Sequence, residues 1–277
     1  MAGFDRASLA ARIDTTTAHP ARRYNYWLGG KDNFAADRAS GDLIAAAMPT
    51  VRVAALENRM FLKRSVRFLA QQGIRQFLDI GTGIPTTDNT HEVAQAIEPS
   101  ARVVYVDNDP IVLSHARALL SSSPLGATTY LDADLREPEK ILLHDELRDT
   151  LDLSVPVALM LVAILHFIRD DEEPREIVSR LVEALPAGSY VVASHCTWDD
   201  VPSSVIAKLN AANTDGRFRA RSAAEITALF AGLEPVAPGL VPIADWRADD
   251  APRPRPSAVD VSCYGAVMRV PGGRPLT

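Results

Sequence analysis

Cysteine is scarce. Cys196 and Cys263 are the chain's two, too few for a disulfide framework and without metal-pair spacing, so both are expected as reduced, largely buried thiols. A basic surplus is lacking as well: 29 Lys+Arg against 35 Asp+Glu give a net charge of −6 over 277 residues, which argues against a wide nucleic-acid groove. No apolar run reaches the ~20 residues of a membrane span; the most apolar stretch, 155–168, is interrupted by His166. Asp5, Arg6, Arg12 and Asp14 stand where a signal peptide needs an apolar segment. These absences predict a soluble, cytoplasmic protein with neither a nucleic-acid nor a membrane partner. What is present is ordinary: 47% hydrophobic and 23% charged residues, sufficient for a large core without covalent staples.

Two regions differ in pattern. Residues 1–73 carry helical signals only and are read as a helical N-terminal extension; residues 74–277 are read as a Rossmann-like domain. In the extension, Asp32-Asn33 can cap a helix running to Met48. Pro49 breaks it, and Thr50 starts another whose apolar stripe is read as Val53, Leu56, Met60, Phe61, Arg64 and Phe68, ended by Gly73. Beyond Gly73, strands are expected at 76–80, 102–107, 128–132, 157–162 and 189–194, with helices at 88–97, 110–121, 135–147 and 172–185 between them. Runs apolar on both faces that alternate with helices predict an α/β doubly wound, mostly parallel sheet. Further helices are expected at 203–213 and 223–230, closing strands at 240–243 and 261–270, and a proline-rich loop at 246–256.

The first strand leads into Asp79-Ile80-Gly81-Thr82-Gly83. Glycines let the backbone approach a ligand closely, and the amides of a following helix would face it. A dinucleotide fingerprint needs a glycine where Thr86 stands. A carboxylate at Asp79 would repel a pyrophosphate but suits a ligand bearing an ammonium and a sulfonium. The second strand ends at Asp107, 26 positions after Gly81, where an acid can accept both ribose hydroxyls. At the third strand end, Asp134 reads either as an adenine contact or as a helix N-cap, with Leu135 supplying a neighbouring backbone N–H.

These residues resemble the motifs of class I S-adenosylmethionine-dependent methyltransferases: Asp79 to Gly83 the first motif, Asp107 with Asn108 the ribose end, and Ala133-Asp134-Leu135 the adenine motif. Leu165-His166-Phe167 is similar to the fourth-strand exit of small-molecule members, with Phe167 replacing a histidine. The block Tyr24-Asn25-Tyr26-Trp27-Leu28-Gly29-Gly30-Lys31-Asp32-Asn33-Phe34, and Pro85 to Glu92, resemble a bacterial, mainly actinobacterial, methyltransferase family of this class across nearly the whole chain. The resemblance implies a seven-stranded Rossmann-like sheet, S-adenosyl-L-methionine as cofactor, and a small-molecule methyl acceptor. It places Asp79, Gly81, Thr82, Gly83, Asp107, Asn108, Asp134, Leu135, Tyr24 and Asn33 at the cofactor. The N-terminal block reads either as a glycine turn joining two helices or as a lid in which Tyr24, Tyr26, Gly29, Lys31 and Asn33 cover the strand ends.

Methyl transfer from a sulfonium is an in-line displacement driven chiefly by alignment, and a base is needed only when the acceptor must lose a proton. His166 is the candidate catalytic residue, with a structural histidine the competing reading. His195 is read in the same two ways, His91 as polar packing, Trp198 as pocket or core, and Arg169-Asp170-Asp171 as a solvated turn. Two other function classes stay open on sequence: a non-catalytic module binding S-adenosylmethionine or its product, and an NAD-dependent oxidoreductase.

Overall fold

The computed structural model describes residues 12–119, 122–213 and 216–272; the readings that rest on Asp5 and Arg6 lie outside them. Three helices lead, α1 (Pro20–Trp27), α2 (Ala35–Ala47) and α3 (Val51–Gln71). The alternation then runs β1 (Gln76–Ile80), α4 (Thr90–Gln95), β2 (Arg102–Asp107), α5 (Pro110–Leu119), β3 (Ala127–Asp132), α6 (Pro138–Leu142), α7 (Asp145–Thr150) and β4 (Ala158–Val162). It continues with α8 (Pro174–Glu183), β5 (Tyr190–Cys196), α9 (Ser203–Ala212), α10 (Ala223–Leu229), β6 (Glu234–Pro235), β7 (Val241–Pro242), α11 (Ala258–Val261) and β8 (Cys263–Arg269).

The sheet order is β3-β2-β1-β4-β5-β8-β6, with β7 also on β8. Strands β1 to β5 pair in parallel, and β8 runs antiparallel to β5. The order turns back between β1 and β4, so a crevice opens at the carboxyl ends of these strands. The seventh position is filled by two pieces: Glu234 pairs with Arg269 and Val241 with Gly265. The register slips by three residues between them, around Gly239 at φ +87°. The closing strand read over 240–243 therefore keeps a two-residue ladder, and β6 was not visible in the pattern.

Successive strand residues go to opposite faces, as the period of two requires. Leu78, Val104, Leu159 and Val191 face a core completed by Ile141, Leu147, Ile177, Leu181 and Ile226. Phe77, Val103, Ala158 and Val192 face the other, completed by Phe61, Val66 and Leu69 of α3 with Trp246. Thus α3, read as part of the extension, covers one face of the sheet, and only α1 and α2 extend beyond that packing.

The buried stripe of α3 also differs from the expected one. Val53 and Leu56 are exposed, while Ala55, Asn58, Phe61, Leu62, Ser65, Val66 and Leu69 are buried. Of the expected stripe Phe61 is buried and Met60, Arg64 and Phe68 are half-buried, so only its first two positions face outward; the inward face there carries Asn58 because it meets a cavity. The start of the proline-rich segment is held rather than free: Trp246 is fully buried edge-on against Phe61, and Arg64 donates to the Trp246 carbonyl at 2.8 Å.

Helix ends shift for local reasons. The helix expected over 135–147 divides into α6 and α7, because His144 adopts extended backbone between them and Pro138 starts a new first turn. α4 begins at Thr90 since Asp88 sits at φ +59°. α2 is not capped by Asp32-Asn33; Phe34 holds the N-cap position, and its N–H is taken by the Asp37 carboxylate at 2.8 Å.

Candidate cofactor and acceptor site

One cavity of about 270 Å3 lies over the carboxyl ends of β1, β2 and β4, roofed by α1, α2, α3 and α9. Its floor is the glycine turn. Gly81 and Gly83 adopt φ +77° and +70°, a region that costs a residue with a side chain roughly 1–2 kcal/mol. A Cβ on Gly81 would meet Ile164 at 2.7 Å, whereas one on Gly83 would meet nothing within 4 Å. Gly81 is therefore needed for packing, and Gly83 opens onto free space. The Gly81 N–H donates to the Val106 carbonyl at 2.8 Å, and the Thr82 hydroxyl to the Asp79 carbonyl at 3.0 Å. The turn leads into an irregular segment rather than a helix, which Asn89 ties by accepting from the Thr86 N–H and donating to its carbonyl. The polar floor is thus the turn itself, and the expectation that helix amides face the ligand is corrected.

Asp107 ends β2 and points at this bend. One carboxylate oxygen accepts the Gly83 N–H at 2.8 Å and the other the Asp109 N–H at 2.9 Å. Each oxygen keeps a second lone pair. Burial pushes its pKa up. Asp79 is also buried; Thr90 donates to one of its oxygens at 2.6 Å, and burial pushes its pKa up to about 6. Two buried carboxylates beside an open glycine turn make a cavity end that favours a cation carrying hydroxyls.

This geometry has relatives. The sequence profile described as S-adenosyl methyltransferase matches residues 6–271. The chain belongs to the S-adenosyl methyltransferase family. Its cofactor is S-adenosylmethionine, and the residues around Gly83, Asp79 and Asp107 fit such a molecule. A DUF574 family protein from Streptomyces avermitilis MA-4680 is 46% identical, with TM-score 0.87 over 94% of this chain and 100% of its own. A candidate methyltransferase from Thermobifida fusca YX is 40% identical, with TM-score 0.86 over 97% of this chain and 99% of its own. An O-methyltransferase family protein from Burkholderia thailandensis, 15% identical with TM-score 0.53, shares the fold over 81% of this chain and 59% of its own. No curated protein matches.

In this methyltransferase the expected site residues separate into two groups. Asp79, Gly81, Thr82, Gly83, Asp107, Asn108, Leu135 and Tyr24 all line the cavity. Asp134 and Asn33 are not among its lining residues. The Asp134 carboxylate accepts from Asn108 at 2.8 Å and from the Arg136 N–H at 2.9 Å, and the N-cap of α6 is Glu137, so the N-cap reading of Asp134 is corrected. The Asn33 amide donates to Asn25 and to the Gly30 carbonyl, both at 2.9 Å.

The N-terminal block is a glycine turn joining α1 to α2. A Cβ on Gly30 would lie 2.2 Å from Asn25 Nδ2, so the glycine makes room for Asn25, whose carbonyl oxygen gathers Asp32 and Asn33. Tyr26 donates to Asp42 and Lys31 is exposed. Of the residues read as a lid Tyr24 reaches the cavity, together with Pro20, Arg23 and Trp27 at helical spacing. The Tyr24 hydroxyl donates to the Ala55 carbonyl at 2.8 Å and accepts from Asn58 at 3.0 Å. Burial pushes it up to about 12, so it is a neutral phenol.

α1 is pinned to the strand tips by a buried charge cluster that no sequence pattern announced. Arg22 approaches Asp109 at 3.3 Å and Asp37 at 3.7 Å, and His19 Nδ1 lies 2.9 Å from Asp109. Asp109 is two residues beyond Asp107, so the cofactor acid and the roof share one turn of chain.

At the other end of the cavity, His166 and Phe167 sit in a 3-10 turn at 165–167 after β4. His166 is buried and accepts the Cys196 N–H at Nδ1, 3.4 Å away; in the neutral ring the proton then resides on Nε2. His195 is structural: Arg221 donates to its Nε2 at 3.0 Å and its Nδ1–H meets the Cys196 carbonyl at 2.8 Å, with burial holding its pKa well down. Arg221, unnoticed in the sequence, clamps the His166 turn through the Leu165 and Ile168 carbonyls and pairs with Asp170 at 2.7 Å. Asp170 lies in the exposed turn read over 169–171, and from there also anchors Arg221. Trp198 lines the cavity. His91 is polar packing, its ring on the Tyr105 hydroxyl at 2.8 Å. Cys263 is buried and Cys196 half-buried, both free. Among the described residues no group of acids, histidines or cysteines is placed to hold a metal ion, and no single helix is long and apolar enough to cross a membrane.

Proposed function

We propose that this methyltransferase transfers the methyl group of S-adenosylmethionine to a small molecule in the cytoplasm, with α1 and α2 acting as a lid over the strand ends. The observation that carries the reading is Asp107, fixed by the Gly83 and Asp109 N–H groups at the mouth of an enclosed cavity. Its remaining lone pairs would take the ribose hydroxyls, Leu135 would border the adenine, and Asp79 would oppose the ammonium group. The cofactor supplies a methyl on a sulfonium, ready for in-line displacement. The chain's own contribution is alignment and exclusion of water. His166, expected as a candidate base, is set instead to donate from Nε2 and so to orient an acceptor atom. The chain needs no base for an acceptor that is already nucleophilic.

Titration calorimetry with S-adenosylhomocysteine tests the cofactor assignment, and mass spectrometry of a small-metabolite extract incubated with enzyme and labelled S-adenosylmethionine tests transfer. Micromolar binding with a labelled small product supports the reading. Binding without any labelled product leaves a non-catalytic binder, and the absence of binding ends the assignment of Asp79 and Asp107.

A further inference from the structure

We infer that the methyl acceptor is an uncharged, planar aromatic compound; the inference rests on the cofactor reading above. The cavity's carboxylates are confined to one end, Asp79 and Asp107. Beyond Ile164, which closes over Gly81, the lining becomes aromatic from His166 onward. His166 packs on Phe167 at 4.5 Å and on Phe218 at 5.2 Å, and Phe218 on Trp198 at 5.5 Å between ring centroids. Trp198 in turn belongs to a separate apolar cluster of the roof, with Met48, Val51, Leu209 and Trp27. All of these side chains line the cavity.

Rings packed on one another at such spacings form a continuous aromatic wall whose free faces and edges favour a further ring laid against it. Among the described residues no acid lines this end to hold a cationic acceptor. The arginines that line the cavity have partners already: Arg23 donates to the Ser40 hydroxyl at 3.1 Å, Arg59 to the Thr87 and Asp88 carbonyls at 3.1 Å, Arg136 to Glu172 and the Phe167 carbonyl, and Arg217 is exposed with a partner of its own. An apolar pocket with a few placed polar groups is the usual form of a small-molecule site. Here the placed group is His166, whose Nε2–H would meet an oxygen or nitrogen on the ring.

The test uses full-length enzyme saturated with S-adenosylhomocysteine and three probes of similar size: 2-naphthol, 2-naphthoate and 2-naphthylmethylammonium, followed by tryptophan fluorescence. Naphthol is expected to bind at least tenfold more tightly than either charged probe. W198A and F218L should each weaken naphthol at least tenfold while leaving S-adenosylhomocysteine affinity within twofold, which also certifies that the variant is folded. If the nucleoside binds and naphthol shows no preference, or if both variants bind naphthol as the parent does, the acceptor class is overturned and the cofactor reading stands. If the nucleoside itself does not bind, the cofactor reading falls with it.

Discussion

Lowering the pH from 7 to 5 should loosen the cofactor and its product by roughly tenfold, through one side chain. Burial raises Asp79 from an ordinary 3.8 to about 6, with the Thr90 hydroxyl opposing that rise and Asp107 adding to it. A ligand ammonium binds the ionised form, so binding must expel the proton whenever the group is protonated. The ionised fraction falls about tenfold between pH 7 and pH 5, and affinity follows it. At pH 6 roughly half a proton should leave per ligand bound. Calorimetry with S-adenosylhomocysteine in two buffers of different ionisation enthalpy reads that number directly. The ligand-free protein should behave in the opposite sense: with the native pKa above the unfolded one, this group's contribution is present below pH 3.8 and lost as pH rises through 6, about 3 kcal/mol in all. Asp107 shifts in the same direction, so D79N isolates the Asp79 part. The variant should release correspondingly fewer protons near pH 6 and show a flatter affinity profile. Unchanged affinity at pH 5 and 7 in the parent, or a D79N profile identical to it, would refute the assignment.

Asp107→Ala removes two hydrogen bonds to a charged acceptor, so S-adenosylhomocysteine should bind about a hundredfold more weakly or worse; calorimetry on the folded variant decides, and a change under fivefold contradicts the ribose role. Gly81→Ala forces a Cβ to within 2.7 Å of Ile164 at φ +77°, costing about 2–5 kcal/mol in denaturant unfolding; the double change with Ile164→Ala should recover part of that, and no recovery would mean the contact is not the cause. Arg22→Met leaves Asp37 and Asp109 buried without their cation, at a cost of about 3–5 kcal/mol, together with faster proteolysis of the chain ahead of α2; a melting temperature equal to the parent's would dissolve the proposed pin.

What could be read in advance follows from how local each cause is. The strands of the parallel core were legible because Phe77-Leu78 and Val103-Val104 are buried on both faces and leave uninterrupted apolar runs. Asp79, Gly81 and Asp107 were legible because a tight turn and two strand ends fix their spacing within a short stretch of chain. The inward face at the start of α3 was not, since it holds Asn58 against a cavity and a strand end, with the Ser194 hydroxyl donating to Asn58 at 2.6 Å. Arg221 and Arg22 were invisible for another reason. Their partners, Leu165, His195 and Asp170 in one case and Asp37 and Asp109 in the other, are distant in sequence, and a single arginine carries no period. Asn33 sits in a block whose polar and aromatic residues invite a ligand, and its role with Asn25 and Gly30 in closing a turn carries no signal in the sequence.

The buried cluster at Asp109 has a kinetic corollary. The peptide that carries Asp107 also carries Asp109, the partner of His19 and Arg22, so with the nucleoside on Asp107 as proposed, any tightening of that tip would be felt directly at the first helix. Nucleoside departure and unlatching of the amino-terminal helices would thereby become one event. The exchange of spent for fresh methyl donor should then be timed by the breaking of an ion cluster, and mutations at residues 22 or 37 would change turnover without touching a single substrate atom.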